Sequence, residues 1–544
     1  MRLFSMSSSQ ARRRLAQAGG IFAAVALIGG CGNNYRPVVT PVATNGPAPQ
    51  PISYAVVVSS PSPTSPGIAS IIDYSGDSMM AQAPIGIGPL AFTIDEIGGT
   101  GYSFNSDHTI TNFPIRTDLQ QKLELVTTLP ATAKPVNILA PVNSLWVGDL
   151  TGDVVDLFGN SPQSFQLAIP MAPNTVPAFI AGVPTITGQR EYVINQNVPN
   201  TSGVECNQTP TLEPNGVATP IEIQSNTIDT PIALDPFAAA TGSQLARCPV
   251  YAVQTPDQRR LFVLNRGSDT ISVINSQNNS LDQCTPFTNQ NGQPVKCHPI
   301  LPLSQSAVTA LQAAAASPGA PTGIPTSPPN PASDNLPATD AGPVYAEYNA
   351  ATQMLVVADY DSSTVSIIDV SLDQYGNDSP TFGTTYTVKV GNNPASVTVL
   401  FDGSRAYTAD QTDGTVTVVN LSSHSVEKTL TVIGHPRTVV STENSLYGKV
   451  YAGSPDSPYL TILSTEYDLE DATILLEGNL VDVRTTTQSG QRQTVPTYNG
   501  SATVSNFNYS SRIPGFGQPC NLPPKMMIAQ YGSNYTLANC RAIP

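Results

Sequence analysis

Short uninterrupted hydrophobic runs are the main pattern along this chain. Tyr54–Val58 and Leu355–Val357 are examples, and neither alternates between apolar and polar positions. Runs of this length, rich in β-branched residues and bounded by Gly, Pro, Asn and Asp, predict β-strands joined by tight turns. Because successive side chains of a strand point to opposite faces, a run without polar positions indicates a strand that is covered on both faces.

Three segments repeat one polar pattern at fixed offsets. In each, an Asn or Asp is followed five residues later by Thr, seven residues later by Ser or Thr, and ten residues later by another Asn or Asp. The segments are Val263–Asn275, Val357–Asp369 and Thr408–Asn420. An Asn or Asp side chain at the end of a strand can cap a turn, and the β-branched run that follows can return as the second strand. The pattern therefore predicts a repeated β-hairpin.

These segments resemble the repeat of the YVTN family, whose unit reads roughly Tyr-Val-Thr-Asn, a turn, and then Thr-Val-Ser-Val-Ile-Asp. Gly391–Pro394 and Gly434–Pro436 are similar to the Gly-x-x-Pro of that family, and Phe401–Gly403 lies where its Pro-Asp-Gly turn falls. Weaker copies of the strand-opening proline are found at Pro89, Pro135, Pro177 and Pro343. The resemblance implies a β-propeller, in some members with lactonase activity.

The spacing of the copies gives the number of blades. Pro89 and Pro135 are 46 residues apart, and Pro394 and Pro436 are 42 residues apart, which is the period of a four-stranded propeller blade. Seven units follow at 86–130, 131–172, 175–236, 248–302, 343–390, 391–432 and 434–478. Residues 52–85 supply three further strands, and Val481–Thr485 is predicted to complete them and join the two ends. We therefore predict an all-β fold, a single propeller over 52–485 with eight blades, seven being the alternative because the resembling family more often has seven.

Three insertions and a tail interrupt this pattern. The insertions are predicted at about 199–216, 276–300 and 303–342. The last begins with a short helical stretch at Ser304–Ala316 and continues as a Pro-, Ala- and Ser-rich segment of low complexity. Residues 486–544 are predicted to form an irregular C-terminal tail.

The N-terminus has the features of an export signal. Arg2 and Arg12–Arg14 precede the apolar run Ile21–Ile28, which is too short to span a bilayer. The following Leu27–Cys31 resembles the bacterial lipobox, and this resemblance implies that Cys31 is the acylated first residue of the mature protein. We therefore predict a signal peptide at 1–30 and a Pro-rich tether at 31–51, with an incidental cysteine as the alternative interpretation. The predicted location is the bacterial cell envelope, at the outer membrane or on the periplasmic or extracellular face.

The cysteine count agrees with an exported protein. Seven cysteines are present, and assigning Cys31 to the lipid leaves six. In an oxidising compartment six cysteines indicate three disulfides with fifteen possible connectivities. Proximity in the sequence favours Cys206–Cys248, Cys284–Cys297 and Cys520–Cys540.

The charge argues against nucleic-acid binding. The net charge is -15, and it becomes -19 without residues 1–30, which hold four arginines and no acid. A surface this acidic repels phosphate backbones, and no basic stripe offsets it. The predicted partner is an unknown protein or glycan, the membrane is contacted only through the lipid, and the protein is predicted to be a monomer.

Few residues carry a chemical signature. GxSxG, HExxH and Walker motifs are absent from the sequence, and neither a metal site nor a cofactor is predicted. Charged residues on the predicted innermost strands, or next to the prolines that open them, are the candidate ligand contacts at the central mouth: His435, Arg437, Glu347, Asp482 and Arg484. A second polar set, predicted to lie one per blade on one face, is open to two interpretations, a ligand-binding or cation-binding crown or simple turn capping: Asn105, Asp149, Asn195, Asn265, Asp359 and Asp410.

Two functions remain open from the sequence. The first, a binding scaffold in the cell envelope, needs no catalytic residues. The alternative, implied by the family resemblance, is a lactonase-like hydrolase that acts at the mouth, for which His435, Arg437 and Glu347 are the candidates. A quinone-dependent dehydrogenase is disfavoured, because Trp146 is the only tryptophan and such propellers dock their blades through tryptophans.

Overall fold

The computed structural model describes the part of the chain that follows the N-terminal segment in the sequence. It covers residues 54–486 except for 75–76, 96–97, 116–124, 141–143, 150–152, 161–162, 174, 183–189, 198–213, 283–296, 329–334, 374–375, 443–444 and 446–447. The predicted signal peptide, Cys31, the tether and the tail after Thr486 lie outside these residues.

The described residues form eight antiparallel sheets, each built mainly of consecutive strands. We call the sheets blades 1 to 8. Blade 1 contains β1 (Tyr54–Ser60), β2 (Pro66–Asp73), β3 (Ser78–Ile87) and the last strand of the chain, β34 (Asn479–Thr485). Blade 2 contains β4 (Pro89–Ile94), β5 (Thr100–Asn105), β6 (Thr109–Pro114) and β7 (Leu125–Thr128). Blade 3 contains β8 (Pro135–Leu139), β9 (Ser144–Asp149), β10 (Val154–Asn160) and β11 (Gln163–Pro170). Blade 4 contains β12 (Pro177–Ala181), β13 (Arg190–Asn195), β14 (Val217–Glu222), β15 (Thr227–Ile228) and β16 (Ile232–Ala233).

The second half of the chain continues in the same way. Blade 5 contains β17 (Pro249–Gln254), β18 (Arg260–Asn265), β19 (Thr270–Asn275), β20 (Ser280–Leu281) and β21 (Ile300–Pro302). Blade 6 contains β22 (Pro343–Asn349), β23 (Met354–Asp359), β24 (Thr364–Asp369) and β25 (Thr385–Lys389). Blade 7 contains β26 (Pro394–Val399), β27 (Arg405–Asp410), β28 (Thr415–Asn420) and β29 (Ser425–Thr431). Blade 8 contains β30 (Thr438–Ser441), β31 (Lys449–Gly453), β32 (Tyr459–Ser464) and β33 (Leu469–Leu475).

The innermost strands close into a ring around a central channel. Strands β4, β8, β12, β17, β22, β26, β30 and β34 contact one another in that order, and β34 returns to β4. Strand β34 pairs antiparallel with β1, so that the last strand completes the first blade. Gly478, just before β34, has a φ of 93°, and a side chain there would meet the backbone of Pro61. The prediction of an eight-bladed propeller closed by Val481–Thr485 is confirmed, and the seven-bladed alternative is wrong.

Each blade is covered on both faces by its neighbours. In β23, Leu355 and Val357 pack with residues of blade 5, whereas Val356 and Ala358 pack with residues of blade 7, and all four are fully buried. One strand therefore contributes to two hydrophobic cores in turn. This arrangement explains why the strand runs in the sequence are continuous rather than alternating.

The repeated polar offsets are a hydrogen-bond network inside each hairpin. Asn265, at the end of β18, donates through its side-chain amide to Thr270 Oγ1 at 3.1 Å and to Ser272 Oγ at 2.9 Å. The same offsets join Thr364 and Ser366 to Asp359 at 3.3 and 2.6 Å, and Thr415 and Thr417 to Asp410 at 3.1 and 2.5 Å. The Asn or Asp ten residues on caps the next turn, as Asp369 does by accepting from the Ser371 amide at 2.9 Å. The three aligned segments are therefore the same element in blades 5, 6 and 7.

Two of the predicted insertions follow the third strand of blade 5, whereas most of the one predicted at about 199–216 lies outside the described residues. The outer strand of blade 5 is split into β20 and β21, both paired with β19, and the residues between them fall within the insertion predicted at 276–300. The predicted helix near 304–316 is α2 (Gln305–Ala315), numbered after the short α1 (Ala238–Thr241). The Ser304 side chain caps α2, and Leu311 packs on Phe237 and Leu245.

Candidate ligand-binding site

Two neighbouring cavities lie where the innermost strands begin, which we call the mouth face. The channel pocket, of about 230 Å³, is lined by residues of β4, β22, β26, β30 and β34, so it lies in the central channel. The mouth groove, of about 400 Å³, is lined by the β1–β2 turn and by residues of blades 2 and 8 and of β34. Leu90, Arg437 and Val481 line both cavities. The groove and the pocket are therefore adjacent, and Arg437 is the charged residue that they share.

The position of the channel pocket follows from side-chain size at one repeated position. Six innermost strands begin with proline, and the pairing register shifts by one residue directly after it. Two residues beyond the proline, blades 2 and 7 have the small Ala91 and Ser396, which line the pocket. Blades 4, 5 and 6 have Phe179, Tyr251 and Tyr345, whose ring centroids are 4.5 and 4.6 Å apart. Aromatic rings therefore fill one side of the channel, and the pocket opens where the corresponding residues are small.

Arg484, on β34, is one of the charged residues that line the channel pocket. Its Nε lies 3.1 Å from the Asp482 carboxylate, and the Arg484 side chain keeps 32% of its surface exposed inside the channel. Burial disfavours its charge, but Asp482, Tyr345 and Tyr251 outweigh burial and raise the pKa of Arg484 above its usual value. No residue of the described chain accepts a hydrogen bond from its terminal Nη atoms. Those donors are available to a ligand in the pocket.

Arg437 approaches the same pocket from the loop before β30. Its Nη2 donates to the Val481 carbonyl at 3.0 Å, which fixes the guanidinium at the boundary between pocket and groove. Within the described ranges it forms no ion pair with a carboxylate. The structure therefore brings together three of the candidate residues, Arg437, Asp482 and Arg484.

The two remaining candidates lie outside both cavity linings. His435 is on the mouth face, where its Nδ1 is 2.5 Å from Asp456 Oδ2, and 59% of its side chain is exposed. The hydrogen bond from His435 lowers the pKa of Asp456 below its usual value. Glu347 is buried on β22, and its carboxylate accepts the Val399 amide of blade 7 at 3.3 Å. Its carboxylate therefore links two blades.

The predicted ring of Asn and Asp residues has a structural explanation. All six residues are buried, and each stands opposite the first proline of the innermost strand in its own blade. Burial raises the pKa of Asp410 to about 6 and holds that of Asp359 well above its usual range. None of the six lines the pocket or the groove. Their hydrogen bonds to neighbouring backbone and hydroxyl groups support the turn-capping interpretation.

A third cavity, of about 680 Å³, lies between the outer strands of blades 4 and 5. It is lined mainly by prolines and small residues, and Asp282 is the one ionisable residue among the described residues of its lining. The Asp282 carboxylate is already held by Arg260 at 3.5 Å and by the His298 amide at 3.0 Å. The partners of Asp282 are not part of the cavity lining, whereas Arg437, Asp482 and Arg484 all line the cavities at the mouth.

Tyr345 is the pocket residue that the motif search missed. A signal was present, because an aromatic residue stands two positions after Pro177, Pro249 and Pro343. Aligning the repeats at that position would have found Tyr345 and its neighbour Tyr251. The candidate residues predicted from the sequence were charged or polar, and none was aromatic except His435.

Several candidate features concern residues that the structure describes only in part. Cys248 and Cys297 are disulfide-bonded, whereas Cys206, Cys284, Cys520 and Cys540 lie outside the described residues, so the predicted pairing stays a prediction.

Across residues 54–486, with their gaps, no cluster of three or more His, Cys, Asp or Glu side chains is arranged to hold a metal ion. No helix in this part of the chain has the length and hydrophobicity needed to cross a bilayer.

Comparison with known proteins supports the fold. No known family profile and no curated protein sequence matches the chain. Among solved structures, the dihydro-heme d1 dehydrogenase NirN, in complex with DHE, is 11% identical, with 81% of this chain and 77% of that chain covered and a TM-score of 0.51. Apo AztD from Citrobacter koseri is 11% identical, covering 80% and 99% of the two chains with a TM-score of 0.47. A putative 6-phosphogluconolactonase from Bacteroides fragilis is 11% identical, covering 81% and 99% with a TM-score of 0.45. At this identity the likeness shows the β-propeller fold alone.

Proposed function

We propose that this protein is an exported, lipid-anchored propeller of the YVTN, lactonase-like type, and that it binds a ligand at its mouth in the bacterial cell envelope. The observation that carries the binding role is the meeting of the channel pocket and the mouth groove at Arg437. Pockets of a few hundred cubic ångströms with a small number of convergent polar groups are typical ligand sites.

The chemistry of the lining favours binding over catalysis. A lactonase mechanism at the mouth needs an acid or base beside the reacting carbonyl, positioned within hydrogen-bond reach. Of the described residues that line the two cavities, Arg437, Asp482 and Arg484 are the charged ones, and Asp482 is engaged by Arg484. The His435–Asp456 pair lies outside both linings, and Glu347 is held by blade 7. Binding therefore needs only the groups that are present.

Anchoring depends on Cys31. We expect Cys31→Ala to move the protein from the membrane fraction to the soluble fraction, because the substitution removes the thiol that would carry the acyl chains. Fractionation and immunoblotting of cells that express either form measure this. The matched control is Asn34→Ala, which changes a nearby residue of the predicted tether but leaves Cys31 and the lipobox intact. Membrane association that is unchanged in Cys31→Ala would remove the anchor from the proposal.

Ligand binding at the mouth can be tested in living cells with a photo-crosslinking amino acid. Leu90 lines both cavities and is 53% exposed, and Phe165 on the outer strand of blade 3 is 49% exposed. We expect the photoreactive residue at position 90 to give a discrete mass increase on the purified protein, and the residue at position 165 to give none. Intact-mass spectrometry registers a small molecule and a protein alike. The same adducts from both positions, or none from position 90, would contradict a binding role for the mouth.

A further inference from the structure

The mouth groups two arginine side chains whose donors are only partly used. Arg437 donates one N–H to the Val481 carbonyl, and Arg484 donates its Nε–H to the Asp482 carboxylate. Most other arginines of the described residues are paired with carboxylates: Arg190 with Glu222, Arg259 with Asp257, Arg260 with Asp378, Arg266 with Asp361 and Arg405 with Asp468. The lining of the two cavities thus carries two guanidinium groups against one carboxylate, on a chain whose net charge is -15.

A guanidinium group presents its N–H donors as a planar fork, which matches the oxygens of a carboxylate or phosphate. The excess of one positive charge at the mouth is balanced by a monoanion. A phosphate monoester carries close to two negative charges at neutral pH and would leave the site with an excess of negative charge. The count of charges therefore favours a carboxylate over a phosphate.

The groove beside the two arginines is largely apolar. Prolines 61, 63 and 89 line it together with Leu480, Val481 and the half-exposed Leu90. An exposed leucine in a concave surface gains stability when an apolar group covers it, by about 25 cal/mol per Å² of apolar area buried. The pocket thus offers donors for an anionic group, and the adjoining groove offers apolar surface for the rest of the molecule.

We propose that the mouth binds a small organic acid, with its carboxylate on Arg437 and Arg484 and its apolar body in the mouth groove. This inference rests on the proposed function, since it names the class of ligand for the same site. Tyr345, whose ring centroid is 4.6 Å from that of Tyr251, also lines the pocket and restricts the space for the anionic group.

Calorimetric titration of the purified full-length chain in detergent tests the proposal with four probes of equal chain length: octanoate, octyl phosphate, octylammonium and 1-octanol. We expect octanoate to bind more tightly than the other three. Arg437→Gln and Arg484→Gln should each weaken octanoate binding roughly tenfold or more, because each removes a charge-assisted hydrogen bond worth about 1.5–3 kcal/mol. Binding of 1-octanol should not change in either variant.

Arg247→Gln is the matched control, because the Arg247 guanidinium also donates to a backbone carbonyl, that of Gly267, and lines neither cavity. It should bind octanoate like the parent protein. Urea midpoints equal to that of the parent protein establish that the variants are folded, and Arg437→Lys, which keeps the charge without the fork, should bind with intermediate affinity.

The outcomes separate this inference from the proposed function. If 1-octanol binds as tightly as octanoate and Leu90→Gln weakens both, the mouth is a binding site and the carboxylate preference is wrong. Tighter binding of octyl phosphate than of octanoate would also overturn the carboxylate assignment. If no probe binds and crosslinking from position 90 yields no adduct, both the inference and the proposed function fail.

Discussion

A chain that ends after Gly478 is expected to lose the folded propeller, whereas a chain that ends after Thr486 is expected to keep it. The first lacks strand β34 and the second retains it, and both lack residues 487–544. Circular dichroism and urea denaturation of the two truncated forms measure the difference. A cooperative unfolding transition in the shorter form would contradict a closing role for β34.

The expected loss is large because β34 serves three blades. It pairs with β1 over Ala55–Ser60, and its own Leu480 and Val483 are buried with Val440 and Tyr451 of blade 8. It also contacts β4 of blade 2, so its removal opens the ring. Burial of each such side chain is worth about 1.5–3 kcal/mol, and a typical folded protein is stable by only about 5–15 kcal/mol. Exposed strand edges would in addition favour aggregation.

A pair of point variants in the full chain tests the same contact without truncation. Val483→Asp places a carboxylate at a fully buried position, and we expect it to lower the free energy of unfolding by roughly 3–5 kcal/mol. Asn479→Asp places the same group at the exposed start of the same strand, so its effect should stay within about 0.5 kcal/mol. Equal effects of the two variants would contradict the packing of β34 in the ring.

The sequence predicted the blades because their signal is local and repeated. The offsets of five and seven residues from Asn265, Asp359 and Asp410 are hydrogen bonds within one hairpin, so they appear as a fixed spacing in the chain. The closing strand was predictable for a different reason. Residues 52–85 hold three strands, and a propeller blade needs a fourth.

The mouth could be predicted only in part, because its geometry depends on residues far apart in the chain. Asp482 and Arg484 are two residues apart on one strand, whereas Arg437 precedes a different strand, and the pocket they share with Leu90 and Tyr345 depends on side-chain sizes in separate blades. Glu347 lies on an innermost strand, as predicted, but its side chain does not line the channel pocket. A residue on an innermost strand can face a neighbouring blade, and Glu347 contacts blade 7 through Val399.

A buried ionic network between blades 5 and 6 was not predicted at all. Asp378, on the loop between β24 and β25, accepts from Arg260 at 3.2 Å and from His298 Nδ1 at 2.8 Å, and Asp282 completes the group. The four residues come from four separate places in the chain, at polar positions without a repeat. Only the approach of described residues of blade 5 to the β24–β25 loop of blade 6 brings them together.

Asp378→Ala is expected to lower the free energy of unfolding by about 3 kcal/mol at neutral pH. The side chains of Arg260 and Asp378 are 3% and 0% exposed, and breaking a buried pair leaves an uncompensated charge that typically costs about 3–5 kcal/mol. Asp282 at 3.5 Å and the Gly376 carbonyl at 3.3 Å still contact Arg260, which places the expected loss at the lower end. Urea denaturation with the disulfides intact measures it.

The matched control joins the same two blades at their surface. Arg266 and Asp361 pair at 3.0 Å with side chains 29% and 24% exposed, and exposed ion pairs are worth about 0–1 kcal/mol. Asp361→Ala should therefore cost no more than about 1 kcal/mol. If both alanine variants lose the same stability, burial of the Asp378 network is not the source of the effect.

The same variant should also change how stability depends on pH. Burial, and then the charge of Asp378, raise the pKa of Asp282 to about 7 in the folded protein, against an ordinary value of 3.8. An acid whose folded pKa is raised favours the folded state while it is protonated, so this contribution is complete below about pH 4 and is lost as the pH rises through 7. Asp378→Ala removes the neighbouring charge, lowers the pKa of Asp282 and should flatten the decline of the urea midpoint between about pH 4 and pH 7. A decline as steep as that of the parent protein would mean that the charge of Asp378 does not act on Asp282.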